Sequence, residues 1–468
     1  MHRLPPPVSF ALGCALAACT PSEPDAPAGP RPVEPPPAAA PTDPTPDPAP
    51  PPAPDAKPDP KPVDPTPSEG PLPLTCPAVI GTDPRIIELG KIGTGEPADL
   101  RKLAKWTRVV DARGGYDHAV GMDDDSNVVW AHDTKSMVFA LDSVAQDGTL
   151  LVHELLNPKQ LEPQALHVDA IGDVTVGGTS FAPGAAGGGT IVSLDSELDE
   201  RWRVKTPRLW AHDFAVTRRG ETIVRGSTAR QEITLGPHTL RNEWLGVGHS
   251  MDILSSIDGE GRFQWSRAFF PGVLQMAHLH DSLYLAGNFG HAQVDYGGGP
   301  TQGPGVLARL EDDSGEHIWS VGFPTGLRAV VPTGDEVLAV GFGQGFSMGG
   351  PVIEGTPAAW FDRDGCYRGS VDLGTGVSRF VATPDGSLLV YGMSLSGSSV
   401  RLGPREFAVG ARQWFVARLA PSLEIQWAAT IACDGLEAAA SDGRTAFSCF
   451  RDLSRGRRLL RQYTLLVL

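Results

Sequence analysis

The chain lacks the marks of a nucleic-acid binder and of the commoner enzymes. Its 468 residues hold 39 Lys and Arg against 55 Asp and Glu, a formal charge of −16. Without a basic excess no face can neutralise a phosphate backbone, so nucleic acid is excluded as the expected partner. There is no Gly-x-Ser-x-Gly nucleophile elbow, no His-Glu-x-x-His pair and no phosphate-binding loop. Six cysteines occur with no Cys-x-x-Cys spacing, so neither a zinc site nor any other metal or cofactor is expected. The apolar run near the start is too short to span a bilayer, and helical periodicity is scarce. Glycine (55) and proline (44) are abundant instead, which points to an all-β chain of short strands and tight turns.

The first 18 residues begin weakly basic (His2, Arg3), turn apolar at Val8 and end in small residues, the pattern of a secretion signal. Leu16-Ala17-Ala18-Cys19 resembles the lipobox of bacterial lipoproteins, whose cysteine receives a diacylglyceryl group before cleavage. That resemblance makes Cys19 the expected lipidation site and a membrane, reached through the lipid anchor, the expected first partner. Acyl chains contribute about 0.8 kcal/mol per buried methylene, so two or three hold a protein durably. Thr20 in place of Asp gives no inner-membrane retention signal, so the outer membrane is expected, on its periplasmic or outer side. Residues 19–73 form the next segment. From Thr20 to Pro73, 23 of 54 residues are proline, a composition that buries no core and is expected to be a disordered tether. At about 3.1 Å per residue its reach is at most on the order of 170 Å.

Residues 74–468 are expected to form one domain built from repeats. The clearest unit, Ser282 to Phe323, reads as three strands, Leu283–Ala286, Val306–Leu310 and Ile318–Val321, the last carrying Trp319 after an Asp-Asp-Ser-Gly turn. Its most regular strand recurs at Ser126–His132, Gly172–Gly178, Gly220–Gly226, Asp281–Gly287, Asp335–Gly341, Gly386–Gly392 and Gly443–Cys449. Seven strand-rich units of about 50 residues suggest a seven-bladed β-propeller; tandem sandwiches would show no such period. Trp202, Trp265, Trp319 and Trp427 fall on the fourth strand of their units, where wedges between adjacent sheets are expected. The seventh unit ends at Leu468 without a fourth strand, while Leu103–Val110, with Trp106, is left over upstream. This N-terminal strand is expected to close the last blade and so remove an open edge.

The units resemble the bacterial β-propeller repeats called SBBP. The resemblance rests on Val294-Asp295-Tyr296-Gly297-Gly298-Gly299, then Gly305–Leu310 and Trp319, and on a second copy, Val400–Pro404, Trp414–Leu419 and Trp427. It implies a propeller of a secreted or lipid-anchored kind and no particular chemistry. The fourth unit is also similar to the repeat of quinoprotein-like propellers, among them a lipoprotein subunit of outer-membrane assembly machinery.

Site candidates are few. Setting aside Cys19 and the signal, Cys76, Cys366, Cys433 and Cys449 remain, an even number that suggests two disulfides in an exported protein. Cys433 and Cys449 flank the hairpin of the seventh unit and are the expected pair, with Cys76–Cys366 the other. His118, His167, His212 and His278 lie on or near inner strands, but their offsets from the regular strand place them on different levels. Asp123-Asp124-Asp125 reads as a solvated turn. The connection between second and third strands varies most, and connections of this kind vary recognition surfaces. It offers His238, Arg241 and Trp244 in the third unit, Tyr296 in the fourth, and Arg405 and Phe407 in the sixth as anchors for a partner. The expected function is a non-enzymatic binding or scaffolding module, a monomer on its tether, serving an envelope protein or glycan. The alternative is an exported propeller enzyme, such as a quinoprotein-like dehydrogenase or a polysaccharide lyase or hydrolase.

Overall fold

Apolar residues alternating between Gly- and Asp-rich turns have only strands open to them, and the chain folds as a succession of antiparallel sheets. A computed structural model describes residues 85–86, 98–99 and 104–468, short connecting segments excepted, and no described residue is helical. The chain divides into Met1–Asp64 and Pro65–Leu468, and every described residue belongs to the second part.

Two short strands come first, β1 (Arg85–Ile86) and β2 (Ala98–Asp99), then β3 (Trp106–Ala112). Blade one comprises β4 (Ala119–Met122), β5 (Val128–Asp133), β6 (Phe139–Val144) and β7 (Leu150–Leu156). Blade two comprises β8 (Glu162–Val168), β9 (Val174–Ser180), β10 (Gly188–Leu194) and β11 (Glu200–Thr206). Blade three is β12 (Trp210–Val216), β13 (Thr222–Thr228), β16 (Met251–Ile257) and β17 (Phe263–Phe269), with an inserted hairpin of β14 (Glu232–Leu235) and β15 (His238–Arg241). Blade four is β18 (Val273–Leu279), β19 (Ser282–Asn288), β20 (Gly305–Glu311) and β21 (His317–Phe323). In blade five, β22 (Leu327–Thr333), β23 (Glu336–Gly341), β24 (Pro357–Phe361) and β25 (Tyr367–Asp372) follow. Blade six has β26 (Arg379–Ala382), β27 (Leu388–Ser394), β30 (Gln413–Leu419) and β31 (Ile425–Ala432), and its own inserted hairpin of β28 (Ser399–Leu402) and β29 (Arg405–Ala408).

Blade seven is made from both ends of the sequence. β32 (Gly435–Ser441), β33 (Arg444–Asp452) and β34 (Arg461–Val467) supply three strands, and β3 pairs antiparallel with β34 from Trp106–Val467 to Ala112–Arg461. The expected closure by an N-terminal strand is therefore present. The seven inner strands touch in order, and the circle closes where β32 meets β4. The fold is a seven-bladed β-propeller.

Burial follows the seams between blades. Seven apolar clusters occur among the described residues, one for each pair of neighbours. Blades one and seven, distant in sequence, share the cluster of Val128, Trp130, Val144, Ala446, Leu465 and Val467, and the Trp130 indole donates to Ser448 Oγ at 2.9 Å. Trp265 and Trp319 are buried wedges whose indoles donate to Asp312 O (3.1 Å) and Arg363 O (2.8 Å) of the following blade. Gly315 sits over the Trp265 ring at φ 64°, where an added Cβ would come within 2.7 Å of the indole, so the turn of blade four needs glycine there.

Aspartate fixes many of the remaining turns. Asp195, Asp258 and Asp362 each accept two backbone N–H groups across their turn, at 2.8–3.0 Å. Asp123 does the same work in blade one, accepting from Asn127 N at 2.7 Å and Asn127 Nδ2 at 2.9 Å, and it is buried rather than solvated.

Candidate functional site

The connections expected to carry recognition fold back onto the ring. In blades three to six an apolar pair precedes the glycine turn of the insertion: Ile233 and Leu235, Val294 and Tyr296, Phe346 and Met348, Val400 and Leu402. Each pair packs into the seam with the preceding blade. Tyr296 is 2% exposed and lies 5.0 Å from the Phe269 ring; Phe407 is 5% exposed and 5.0 Å from Phe415. Both are core residues, which corrects their expected role as partner anchors. The period-2 alternation of Val294-Asp295-Tyr296 was the sequence signal for an inward face. His238 is held against Gln264 O at 3.1 Å, and Arg241 pairs with Glu232 at 3.1 Å on an exposed hairpin. Arg405 opens β29 and is half-buried. Trp244, Cys19, Cys76 and His118 lie outside the described residues.

The expected Cys433–Cys449 disulfide is not formed; both residues are buried as thiols. The ladder sets Leu436, three residues beyond Cys433, across from Cys449, so flanking a hairpin in sequence did not place the two cysteines opposite each other. Cys366 is 5% exposed in blade five.

Two inner-strand histidines share a level after all. His167 pairs across with Thr175 and His278 with Leu283, each one step from the end of its ladder. Burial holds His167 down at about 4; Asp169 opposes this and His278 adds to it. Counting from the regular strand misled because the turns differ in length, Asp169–Asp173 against His280-Asp281. His212 lies towards the other end, in a bulge of β12, 2.7 Å from Ser227 Oγ. Among the described residues no three His, Cys, Asp or Glu side chains gather as metal ligands.

Two polar clusters stitch blades together. Between blades three and four, Asp252 accepts from Gly272 N and Val273 N at 2.9 Å each, while Arg225 donates to Val273 O at 2.8 Å. Burial pushes the carboxyls of Asp213 and Asp252 up, against these hydrogen bonds and the Arg225 charge. On the tight-turn side, a depression of about 440 Å³ is lined by Arg218, Arg219, His280, Asp281, Asp312, Asp313 and Arg363. Arg219 lies 3.4 Å from Asp312 and 3.6 Å from Asp313, and Arg363 lies 2.6 Å from Asp281. Acids of blade four are thus clamped between bases of blades three and five, and the charges of this depression are mostly spent on the fold.

The outer strand of blade one is different. A bulge recurs in the outer strands of blades one to six, at Leu151, Arg201, Gln264, Ile318, Arg368 and Gln426. Four residues further on stand Leu155, Lys205, Ala268, Gly322, Asp372 and Thr430. Blade one alone has a large apolar residue at both positions, and Leu151 and Leu155 are each 53% exposed. His153 lies between them, its Nδ1 2.5 Å from Asp142 Oδ1; Asp142 is 1% exposed and also faces His132 Nε2 at 3.3 Å. Among the described residues the strand pairs with β6 on one side and with no other strand. Aligning the bulges would have revealed this edge in the sequence.

No protein-family model matches the chain, and no curated protein matches it. Among solved structures it is similar to the WD40 domain of Neurospora crassa Pan2 (10% identity, 74% of this chain and 88% of that one, TM-score 0.42). It is also similar to Kluyvelomyces marxianus Hsv2 (11%, 74% and 98%, TM-score 0.40). A Bacteroides caccae protein of unknown function is a third (12%, 55% and 82%, TM-score 0.32). These likenesses assign no family, and the seven-bladed β-propeller stands on the chain's own seams and strand order.

Proposed function

We propose that the chain is an exported lipoprotein, anchored through Cys19, whose propeller of SBBP type is a non-enzymatic binding module held off the outer membrane by residues 19–73. The lipobox-like Leu16–Cys19 and the proline-rich stretch behind it support the anchoring. The observation that carries the binding reading is the blade-one edge, where Leu151 and Leu155 stand exposed at positions that blade two fills with Arg201 and Lys205. Uncovered apolar edge strands invite an added strand, and natural sheets normally blunt them with charge. An apolar edge that no described strand covers suits an extended segment of an envelope protein better than a glycan. Exchanging in blade two's own residues, Leu151→Arg with Leu155→Lys, is expected to leave the melting temperature unchanged and abolish co-purification of the envelope partner. Retained co-purification would refute the edge. Metabolic labelling with palmitate checks the anchor, and label persisting in Cys19→Ser would reject it.

The Cys76–Cys366 pairing belongs to the same proposal. β1 joins blade five at Gly369, three residues from Cys366, which brings the N-terminal segment to that blade. Non-reducing peptide mapping is expected to recover the two cysteines in one linked peptide; separate thiol peptides would exclude the bond.

A further inference from the structure

Near the start of the inner strands one irregularity recurs in four consecutive blades. An extra residue is inserted at Gln164 in β8, His212 in β12, Leu274 in β18 and Arg328 in β22. Blade six holds Ser378 in the corresponding place: its N–H donates to Tyr391 O, although Arg379 is the residue paired with Tyr391. The flanking residues alternate between the two seams of their blade. In blade five, Leu327 and Val330 pack towards blade four, and Ala329 and Val331 towards blade six. In blade four, Val273 and Met276 pack towards blade three and Ala277 towards blade five. The inserted residue belongs to neither series, and a bulge of this kind re-aims its side chain. On the innermost strand the direction left to it is the central channel. Gln164, His212 and Ser378 are exposed there, Leu274 is 43% exposed, and Arg328 is half-buried.

These five side chains form an arc at one mouth of the channel, and none is an acid, in a chain of net charge −16. The acids one step further along are answered, Asp213 by Arg225 at 4.0 Å and Glu437 by Arg379. Arg328 has no carboxylate beside it. Its Nη1 donates to Val377 O at 2.5 Å, and its guanidinium lies 4.5 Å from the Phe342 ring centroid, which fixes the group in place. Nε and Nη2 donate to nothing, and they are a parallel pair of the kind that grips a carboxylate bidentately. His212, held down at about 4 by burial and then by the Arg225 charge, is neutral at ordinary pH. The arc therefore carries one unanswered positive charge among neutral polar groups, with the apolar Leu274 on the blade next to Arg328. We propose that this mouth binds a hydroxylated carboxylic acid of the sugar-acid class, its carboxylate on Arg328 and its hydroxyls on Gln164, His212 and Ser378. A single guanidinium suits one carboxylate better than a phosphate dianion, and three neutral polar groups suit hydroxyls better than an alkyl chain. The site stands on inner strands, apart from the outer edge of blade one, and does not rest on the reading of that edge.

Isothermal titration calorimetry of the full chain tests this, with D-glucuronate, D-galacturonate and the uncharged methyl ester of each as probes. At least one of the two acids is expected to bind saturably, and its ester at least about tenfold more weakly, the worth of a hydrogen bond to a charged group. Arg328→Gln is expected to weaken binding of the acid by a similar factor. Because Arg328 also holds Val377 O, Leu274→Asp serves as the second variant. It replaces an exposed side chain, is expected to leave the melting temperature unchanged, and sets a carboxylate where it repels that of the ligand. No binding of either acid would overturn the proposal. So would equal binding of acid and ester, or undiminished binding in Leu274→Asp. The pair Leu151→Arg with Leu155→Lys is expected to leave sugar-acid binding unchanged, so failure of the blade-one edge is read separately from failure of this site.

Discussion

Trp265 fills the seam between blades three and four and places its indole N–H on the Asp312 carbonyl, so truncation removes packing and orphans a buried acceptor together. Trp265→Ala is expected to lower stability by about 3–5 kcal/mol in denaturant unfolding; a loss below about 1 kcal/mol would show the wedge to be dispensable. Tyr296 gives the opposite case. Its ring is core and its hydroxyl, buried, has no hydrogen-bond partner, so Tyr296→Phe is expected to be neutral or to stabilise by about 1 kcal/mol. A clear loss of stability in the same assay would contradict that. Protonation adds two separate windows. Burial holds His167 at about 4, and burial followed by the Arg225 charge holds His212 at about 4, below the ~6.5 of an unfolded chain. The neutral forms therefore stabilise fully above about pH 6.5, and that contribution is lost as pH falls towards 4. Burial raises Asp385, but the Thr383 hydroxyl, Ser387 N–H and Arg418 outweigh it and hold the carboxyl at about 2. Its stabilisation is present above about pH 4 and lost as pH falls towards 2. Urea midpoints against pH are expected to flatten between 6.5 and 4 in His167→Gln and between 4 and 2 in Asp385→Asn. Profiles parallel to wild type would exclude both assignments.

Among the elements, those with a strong period were legible in the sequence. The wedge tryptophans, the second and third strands of each blade and the missing fourth strand of blade seven all follow from alternation and from one unmatched segment. The inserted hairpins were located but misread: Tyr296 and Phe407 looked like surface anchors because their residue types favour interfaces, whereas the alternation of Val294 with Tyr296 and of Val400 with Leu402 turns those faces inward. β1 and β2 left no signal, since two residues carry no periodicity. Cys433 and Cys449 failed for want of register, which depends on where the ladder begins and not on which residues flank the turn. Removing β3 tests the best-read element. A chain starting at residue 115 leaves β34 without its outer partner and is expected to melt well below the full domain or to aggregate through that edge. Melting like the full domain would show closure by the N-terminal strand to be unnecessary.

Taken as a whole molecule, the ring manages its edges unevenly. Blades five and six are overlain by β1 and β2, blade seven is completed by β3, and blade two carries Arg201, Arg203 and Lys205 along its rim. Blade three is flanked by its own hairpin through His238 and Gln264. Blade one keeps an apolar outer strand, with His153 fixed on a buried carboxylate between two exposed leucines. Among the described strands β21 of blade four is also uncovered, with Ile318 38% exposed, but blade one alone presents two large apolar side chains more than half exposed on its outer strand, and such an edge is suited to receive a strand from another protein. Site-specific photo-crosslinking in living cells tests this most directly, with a photoreactive side chain replacing Leu151 in one variant and Arg201, its counterpart in blade two, in another. The expected result is a discrete envelope-protein adduct from position 151, none from position 201, and loss of the first when Leu155→Lys is added. No adduct at 151, or equal adducts at both positions, would contradict it.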